Sequence, residues 1–204
     1  MTQHVLSASG VTVGGRPRAM LPPTDVEVHT GEVRAVVGEP GHGHTALALI
    51  LAGRLRPDAG SARFDRSVLD RTRQAAVALV DVPGVSEPDE LVPFGTVLGE
   101  ELAMAGQPAR RRAVRAWAPD VTPGRRTEDI PAARRTELLL RAAALRSGVR
   151  FLVLTLPDRW GVTPAEWGPV ADELARHGYG VLVTVGETSR HLLEVPHTDL
   201  GGAA

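Results

Sequence analysis

The fold is decided by the stretch Gly38-Glu39-Pro40-Gly41-His42-Gly43-His44-Thr45. It has the glycine spacing of the phosphate-binding pattern G-x-x-x-x-G-K-[ST], in which backbone N–H groups surround phosphates and the lysine reaches them. Thr45 stands where the pattern has its magnesium-binding hydroxyl, but His44 replaces the lysine. The sequence contains no lysine at all, so all 23 basic residues are arginine. The stretch therefore predicts the geometry of a phosphate-binding loop without its usual cation.

The residues on either side of this loop predict the structural context that the pattern requires. The apolar run 33–37 predicts a buried strand that leads into the loop. Residues 45–56 predict a largely buried helix, which ends before Pro57 and Gly60. Because a strand, a glycine-rich loop and a helix follow one another, the match is more specific than the glycine pattern alone.

The rest of the chain alternates between predicted strands and predicted helices. Apolar or alternating patterns predict strands at 11–13, 25–28, 75–80, 151–154 and 181–185. Helices are predicted at 94–105, 110–117, 131–145 and 163–177, and the tail 196–204 is expected to be frayed. Thr163 and Glu166 form a capping-box pattern at the start of the last helix. This alternation predicts a mostly parallel sheet covered on both faces, with ligands at the carboxyl ends of its strands.

The composition is that of an ordinary water-soluble domain. The chain has 204 residues, a net charge of −1 and no cysteine, which excludes disulfides, thiolate metal sites and cysteine nucleophiles. The charge gives no overall reason to expect nucleic-acid binding. The sequence begins without a signal-peptide pattern and has no apolar run of membrane-spanning length, so we expect a cytoplasmic protein with one domain over 1–204.

Several segments, in order along the chain, are similar to the nucleotide-binding domain of the ATP-binding-cassette (ABC) family. The turn 31–33 resembles the family's turn before the phosphate-loop strand. Residues 51–61, L-A-G-R-L-R-P-D-A-G-S, are similar to its characteristic L-A-G-L-x-x-P-x-x-G segment. Residues 94–102 look like the start of its helical sub-domain, and 151–154 followed by Pro157 look like its Walker B strand.

This resemblance implies an α/β fold of the P-loop NTPase type. The implied fold has three layers, a mostly parallel sheet, an antiparallel N-terminal portion and a small helical sub-domain at about 84–135. The residues that would contact nucleotide are those of the loop and the first turn after it: Gly38, Gly41, Gly43, His44, Thr45 and Ala46. We expect at most weak binding of ATP or ADP, with Mg²⁺ bound only together with nucleotide, and no separate metal site.

The positions that carry chemistry in the family differ in this chain. Thr155 and Leu156 stand where the resemblance places the Walker B aspartate and glutamate. Residues 130–134, Ile-Pro-Ala-Ala-Arg, replace the L-S-G-G-Q signature, and Gly186 replaces the switch histidine. Other matched positions also lack the family's residues: Asp81 or Val82 for the Q-loop glutamine, 11–13 for the adenine-stacking aromatic, and Gly161 or Val162 for the D-loop aspartate. We therefore identify no catalytic residues.

These departures favour an ATPase-inactive member that acts as a binding or regulatory subunit. Two alternatives stay open: a weakly active ATPase subunit of a transporter, and a scaffold protein that binds no nucleotide. The resemblance implies a homo- or hetero-dimer with another ABC domain, or a membrane permease that would hold the chain at the inner face of the membrane. No nucleic-acid partner is expected, and the basic face formed by Arg110, Arg111, Arg112 and Arg115 is interpreted as solvated surface rather than as a contact with an acidic partner. Trp117, Trp160 and Trp167 are expected to serve packing.

Overall fold

The strands form two sheets in the computed structural model, which describes residues 3–14, 19–39 and 41–201. In chain order they are β1 (Val5–Val13), β2 (Leu21–His29), β3 (Val33–Gly38), β4 (Ala59–Phe64), β5 (Val77–Val80), β6 (Phe151–Thr155), β7 (Gly180–Gly186) and β8 (His197–Asp199). One sheet is antiparallel with the order β2-β1-β4, and the other is parallel with the order β5-β6-β7-β3-β8. The predicted parallel sheet and antiparallel N-terminal portion are therefore confirmed.

Helices follow most of the strands of the parallel sheet. They are α1 (His44–Leu51), α2 (Asp70–Ala76), α3 (Phe94–Met104), α4 (Arg111–Trp117), α5 (Ala132–Ala144) and α6 (Pro164–Arg176), with 3-10 turns at Thr127–Asp129, Pro157–Trp160 and Glu187–Leu192. The capping box is present at α6, since the Glu166 carboxylate accepts hydrogen bonds from the Thr163 amide at 2.8 Å and the Thr163 hydroxyl at 2.9 Å. Among the described helices, none combines the length and the hydrophobicity needed to span a bilayer.

Two hydrophobic layers cover the opposite faces of the parallel sheet. On one face, alternate strand residues such as Val36, Val153 and Leu182 pack with α1 and the antiparallel sheet. On the other face, their neighbours along the strands pack with α3, α4, α5 and α6. Trp167 is fully buried in this second layer, and Trp117 and Trp160 pack against it as half-buried side chains, which agrees with the packing role expected of them.

Several element boundaries differ from the sequence predictions. The helix after the loop ends at Leu51 rather than at residue 56, because Gly53 turns the chain with a φ of 67° and its amide bonds the Ile50 carbonyl. The strand predicted at 75–80 begins only at Val77, since α2 occupies the residues before it. β4 and α2 were not predicted from the sequence. The expectation of a frayed tail is wrong for His197–Asp199, which pair with β3 as β8, while 202–204 lie outside the described residues.

Candidate functional site

The glycine-rich loop joins the carboxyl end of β3 to the start of α1. Gly41 and Gly43 adopt φ values of 86° and 94°, a left-handed backbone that glycine adopts without the steric cost of a side chain. A Cβ on Gly43 would lie 2.6 Å from the Met20 carbonyl oxygen, so the loop packs directly against the start of β2. No acidic residue occupies the first turn of α1, and no side chain caps it. Its free N–H groups therefore form an arrangement suited to an anion. Pro40 lies outside the described residues.

His44, at the lysine position, is turned into the protein. Its side chain is buried, with the residue only 3% exposed, and its Nε2 lies 3.2 Å from the Gly38 carbonyl oxygen. Because a carbonyl can only accept, Nε2 carries the proton, and Nδ1 has no partner within the described residues. Burial lowers the pKa of His44, although the Gly38 carbonyl and the Asp158 carboxylate act in the opposite direction. His44 is therefore a neutral group bonded back to the loop.

The predicted nucleotide contacts all lie on this loop and the first turn of α1, but they differ in exposure. Gly41 is exposed, Thr45 is half-buried, and Ala46 and Gly38 are buried. A Cβ on Gly38 would lie 2.5 Å from the side chain of Leu200, whose amide donates to the Val37 carbonyl at 2.7 Å. The segment after β8 therefore covers the end of β3. That nucleotide binds to these residues stays a prediction.

Two buried hydroxyls lie side by side near the carboxyl ends of β6 and β7, and one of them, that of Thr155, stands where the resemblance places the Walker B aspartate. Thr155 ends β6 and pairs with Thr184 of β7, and both are completely buried. By strand alternation both face the same side as α1. Neither hydroxyl oxygen has a hydrogen-bond partner in the described part of the chain. The next residue, Leu156, has a left-handed backbone with a φ of 51° and contributes no charge.

An arginine lies at the carboxyl ends of β5 and β6, which form the carboxyl edge of the sheet at this point. The Arg159 guanidinium donates to the main-chain carbonyls of Thr155 and Leu156, which end β6. It also donates to the carbonyl and the carboxylate of Asp81, directly after β5, at 2.9 and 2.8 Å. Glu87 lies 3.4 Å away on the same nitrogen. Burial raises the pKa of the Asp81 carboxyl, while the neighbouring Arg159 and Arg135 lower it.

Asp158 organises the turn that follows β7. Its Oδ2 accepts hydrogen bonds from the Gly186 amide at 2.7 Å and the Ser189 hydroxyl at 2.9 Å. The position matched to the switch histidine is thus held as a structural turn. Neither Asp158 nor Arg159 was predicted from the sequence as a site residue. The available signal was a charged pair directly after a buried strand, a place where ligand-binding residues of such sheets lie.

The segment matched to the signature is also engaged in internal contacts. Ile130 is buried, and Arg134 forms a bidentate ion pair with Asp120 at 2.8 and 2.7 Å. Arg135 turns inward from α5, with its guanidinium carbon 4.8 Å from the centre of the Trp160 ring. Arg159 lies 5.0 Å from the same ring centre. α5 is thereby linked to the edge of the sheet through cation–π contacts.

The residues at this edge do not fit a Mg²⁺ ion of the family type. Mg²⁺ binds through one or two carboxylates and ligand phosphates in an octahedral arrangement. The position matched to the magnesium-binding aspartate is Thr155. The Asp81 carboxylate is bonded to Arg159, and one oxygen of Asp158 accepts the hydrogen bonds of the turn after β7. Within the described ranges, no three His, Asp or Glu side chains cluster as a metal site.

Comparisons with known proteins agree on the family and the fold. The sequence model of the ABC transporter family matches residues 21–140. The chain is 29% identical over 175 residues to a ribose import ATP-binding protein RbsA of Ruegeria sp., and 30% identical over 170 residues to RbsA 2 of Rhizobium etli. These alignments cover 79% and 77% of this chain but only 34% and 33% of the relatives. The chain therefore spans about a third of the length of these curated relatives.

Solved structures show the same fold at low sequence identity. A structure titled as the ATP-binding subunit of an ABC transporter superposes with a TM-score of 0.66 at 15% identity, covering 96% of this chain and 85% of that one. A nucleotide-free ATP-binding cassette from an ABC transporter gives a TM-score of 0.65 at 13% identity, covering 97% and 87%. The architecture described above is thus that of an ATP-binding cassette.

Proposed function

The chain belongs to the ABC transporter family, and on that premise we propose that it is a non-hydrolysing ATP-binding-cassette subunit that acts by binding. The main observation in support of this proposal is the chemistry at the carboxyl edge of the parallel sheet, where the ends of its strands lie. Thr155 and Leu156 stand at the Walker B positions, and the guanidinium that is hydrogen-bonded to that edge, Arg159, is bonded to the protein itself. His44 is buried, and its pKa is lowered.

The size of the rate loss expected for each missing catalytic group favours an inactive protein over a slow ATPase. Phosphoryl transfer depends almost entirely on positioned charge: the lysine, the metal and the residue that orients the nucleophile. Removing one such electrostatic group costs about 10²–10³ in rate. Such losses are not additive, but this chain lacks the lysine, both carboxylates and the switch histidine together.

The loop supports weak binding of ATP or ADP rather than none. Gly41, Gly43 and the free first turn of α1 present backbone N–H groups suited to a phosphate. Against this, Glu39 places an exposed carboxylate beside the loop and no lysine compensates for it. We expect calorimetric titration with ATP to give a dissociation constant weaker than micromolar. Micromolar affinity would contradict the proposal that the loop binds nucleotide only weakly.

A groove beside α3 is the surface that we propose for a membrane permease partner. It encloses about 460 Å³ and is lined by charged residues together with Val85, Val97 and Met104. Val85 and Met104 are 51% and 57% exposed, and nearby Leu91 is 64% exposed. Exposed apolar residues grouped within a charged rim are typical of a protein-binding surface. The relatives named as import ATP-binding proteins support a permease as the partner, which would hold this chain at the cytoplasmic face of the membrane.

Pull-down of the co-expressed permease tests this surface. We expect Met104→Glu to weaken recovery of the permease, because a charge would be placed in an apolar contact. Met20→Glu is the matched control, since Met20 is equally exposed at 58% but lies at the start of β2. Equal recovery with both variants would exclude the groove as the docking surface.

A weakly active ATPase remains the second candidate, and one observation favours it. Thr45 keeps the hydroxyl of the metal-binding position on a loop whose glycines hold the required backbone geometry. This candidate predicts phosphate release that falls when His44 is replaced by alanine. The non-hydrolysing proposal predicts the same background rate for both proteins.

A further inference from the structure

Five protein oxygens converge on the Arg159 guanidinium at the edge of the parallel sheet. Three are main-chain carbonyls, of Thr155, Leu156 and Asp81, and two belong to the carboxylates of Asp81 and Glu87. The oxygens of Thr155, Leu156 and Asp81 lie at the ends of β5 and β6, two neighbouring parallel strands, and the Glu87 oxygen comes from the loop after β5. Carboxylates and backbone carbonyls around one point are the ligand set that hard divalent cations prefer.

We propose that Arg159 is the resident cation of an all-oxygen site at this edge, so that the protein needs no divalent metal there. The side chain of Asp81 is 1% exposed and that of Arg159 is 19% exposed, so the positive charge is largely enclosed. A buried carboxylate requires a partner charge, and an unpaired one is strongly destabilising. Arg159 meets that requirement from within the chain.

The surroundings of the site reinforce a permanent organic cation. Trp160 offers its ring face to both Arg159 and Arg135, which lie 5.0 and 4.8 Å from its centre. A guanidinium can stack on an aromatic ring while it donates in the plane, which a spherical metal ion cannot do. Arg135 adds a second positive charge close by, and this charge disfavours the entry of a further cation.

The site also gives the edge of the sheet a mechanical role. Arg159 ties residues after β6 to residues after β5 over a separation of 78 positions. In the family, the matched positions take part in metal and nucleotide chemistry. Here Asp81, Thr155 and Leu156 are all hydrogen-bonded to Arg159 instead. This inference extends the proposed non-hydrolysing function and rests on it.

Removal of the guanidinium tests the assignment directly. We expect Arg159→Ala to lower the Tm by about 10 °C, because it leaves Asp81 buried without its partner. Millimolar guanidinium chloride, well below denaturing concentration, should restore part of this loss by filling the vacated position. Arg190→Ala is the control: this half-buried arginine pairs with the more exposed carboxylates of Glu187 and Asp199 and leaves no buried carboxylate behind, so neither effect is expected. An unchanged Tm for Arg159→Ala, or a loss that guanidinium does not reduce, would overturn the assignment.

Manganese binding supplies a second readout. Electron paramagnetic resonance of the wild-type protein with Mn²⁺ should show no bound ion, whereas Arg159→Ala should bind Mn²⁺ through the released oxygens. Binding by the wild-type protein that is lost in Asp81→Asn, or no binding by the folded Arg159→Ala variant, would contradict the proposal. Neither measurement involves nucleotide. Failure of this inference can therefore be distinguished from failure of the proposed non-hydrolysing function, which would be seen as ATP hydrolysis.

A further pair of variants decides the matter if Arg159→Ala does not fold. Arg159→Lys keeps a positive charge at the site, while Arg159→Gln keeps hydrogen-bond donors without charge. A resident cation predicts that the lysine variant melts at the higher temperature. Equal melting temperatures would show that charge at this position is not what the site requires.

Discussion

Replacement of His44 by glutamine should remove a specific dependence of stability on pH. His44 is 3% exposed and neutral, and its Nε2–H donates to the Gly38 carbonyl. Burial lowers its pKa below the ordinary value of 6.5. Glutamine keeps a side-chain N–H that can reach the same carbonyl but does not titrate, so the two proteins differ mainly in one ionisable group.

The sign follows from the proton balance between the folded and unfolded states. Well above pH 6.5, His44 is neutral in both states and contributes no pH dependence. As the pH falls through and below 6.5, His44 is protonated in the unfolded chain but stays neutral in the folded chain. The wild-type protein therefore loses stability as the pH falls towards the folded pKa. One proton of difference corresponds to a slope of at most about 1.4 kcal/mol per pH unit.

Urea unfolding of both proteins between about pH 8 and pH 5 measures this difference, because histidine titrates in that range. The remaining histidines are common to both proteins and cancel in the subtraction. We expect the stability of the wild type relative to His44→Gln to be constant well above pH 6.5 and to decline as the pH falls through and below that value. A flat difference, or a wild type that gains stability in acid, would refute a neutral, buried His44.

Other predictions concern packing around the site. Gly38→Ala should cost about 1–3 kcal/mol by overpacking, since its Cβ would lie 2.5 Å from the Leu200 side chain. The added substitution Leu200→Ala should recover part of that loss in a double-mutant cycle of urea unfolding, and simple additivity would exclude the contact. Trp167→Ala should lower the free energy of unfolding by about 3–5 kcal/mol in the same assay, because Trp167 lies on the inner face of α6 with its ring fully buried. A loss below about 1 kcal/mol would contradict that core position.

Local patterns predicted the elements that form the centre of the fold. The strand before the glycine loop, the helix after it and the strand that ends at Thr155 all follow from short apolar runs beside turn residues. The capping box at Thr163 could also be predicted from the sequence, because its two partners are only three positions apart. These features depend on neighbours in the sequence, so they need no knowledge of the tertiary structure.

The missed elements are short, polar or dependent on distant partners. β4 is mostly half-buried or exposed and contains only one buried residue, Ala62, so it lacks an apolar run. β8 is three residues long and exists because β3 offers it a free edge. The contact between Arg159 and Asp81 depends on β5 and β6 being neighbours in the sheet, which residue spacing does not reveal.

Release of inorganic phosphate from ATP by the purified protein tests the central claim most directly. The wild type, His44→Ala and a protein-free blank are compared with Mg²⁺ present, at an ATP concentration high enough to saturate a weak site. We expect the same background rate in all three, because the groups that position charge for phosphoryl transfer are missing. Phosphate release by the wild type that exceeds the blank and falls in His44→Ala would contradict it.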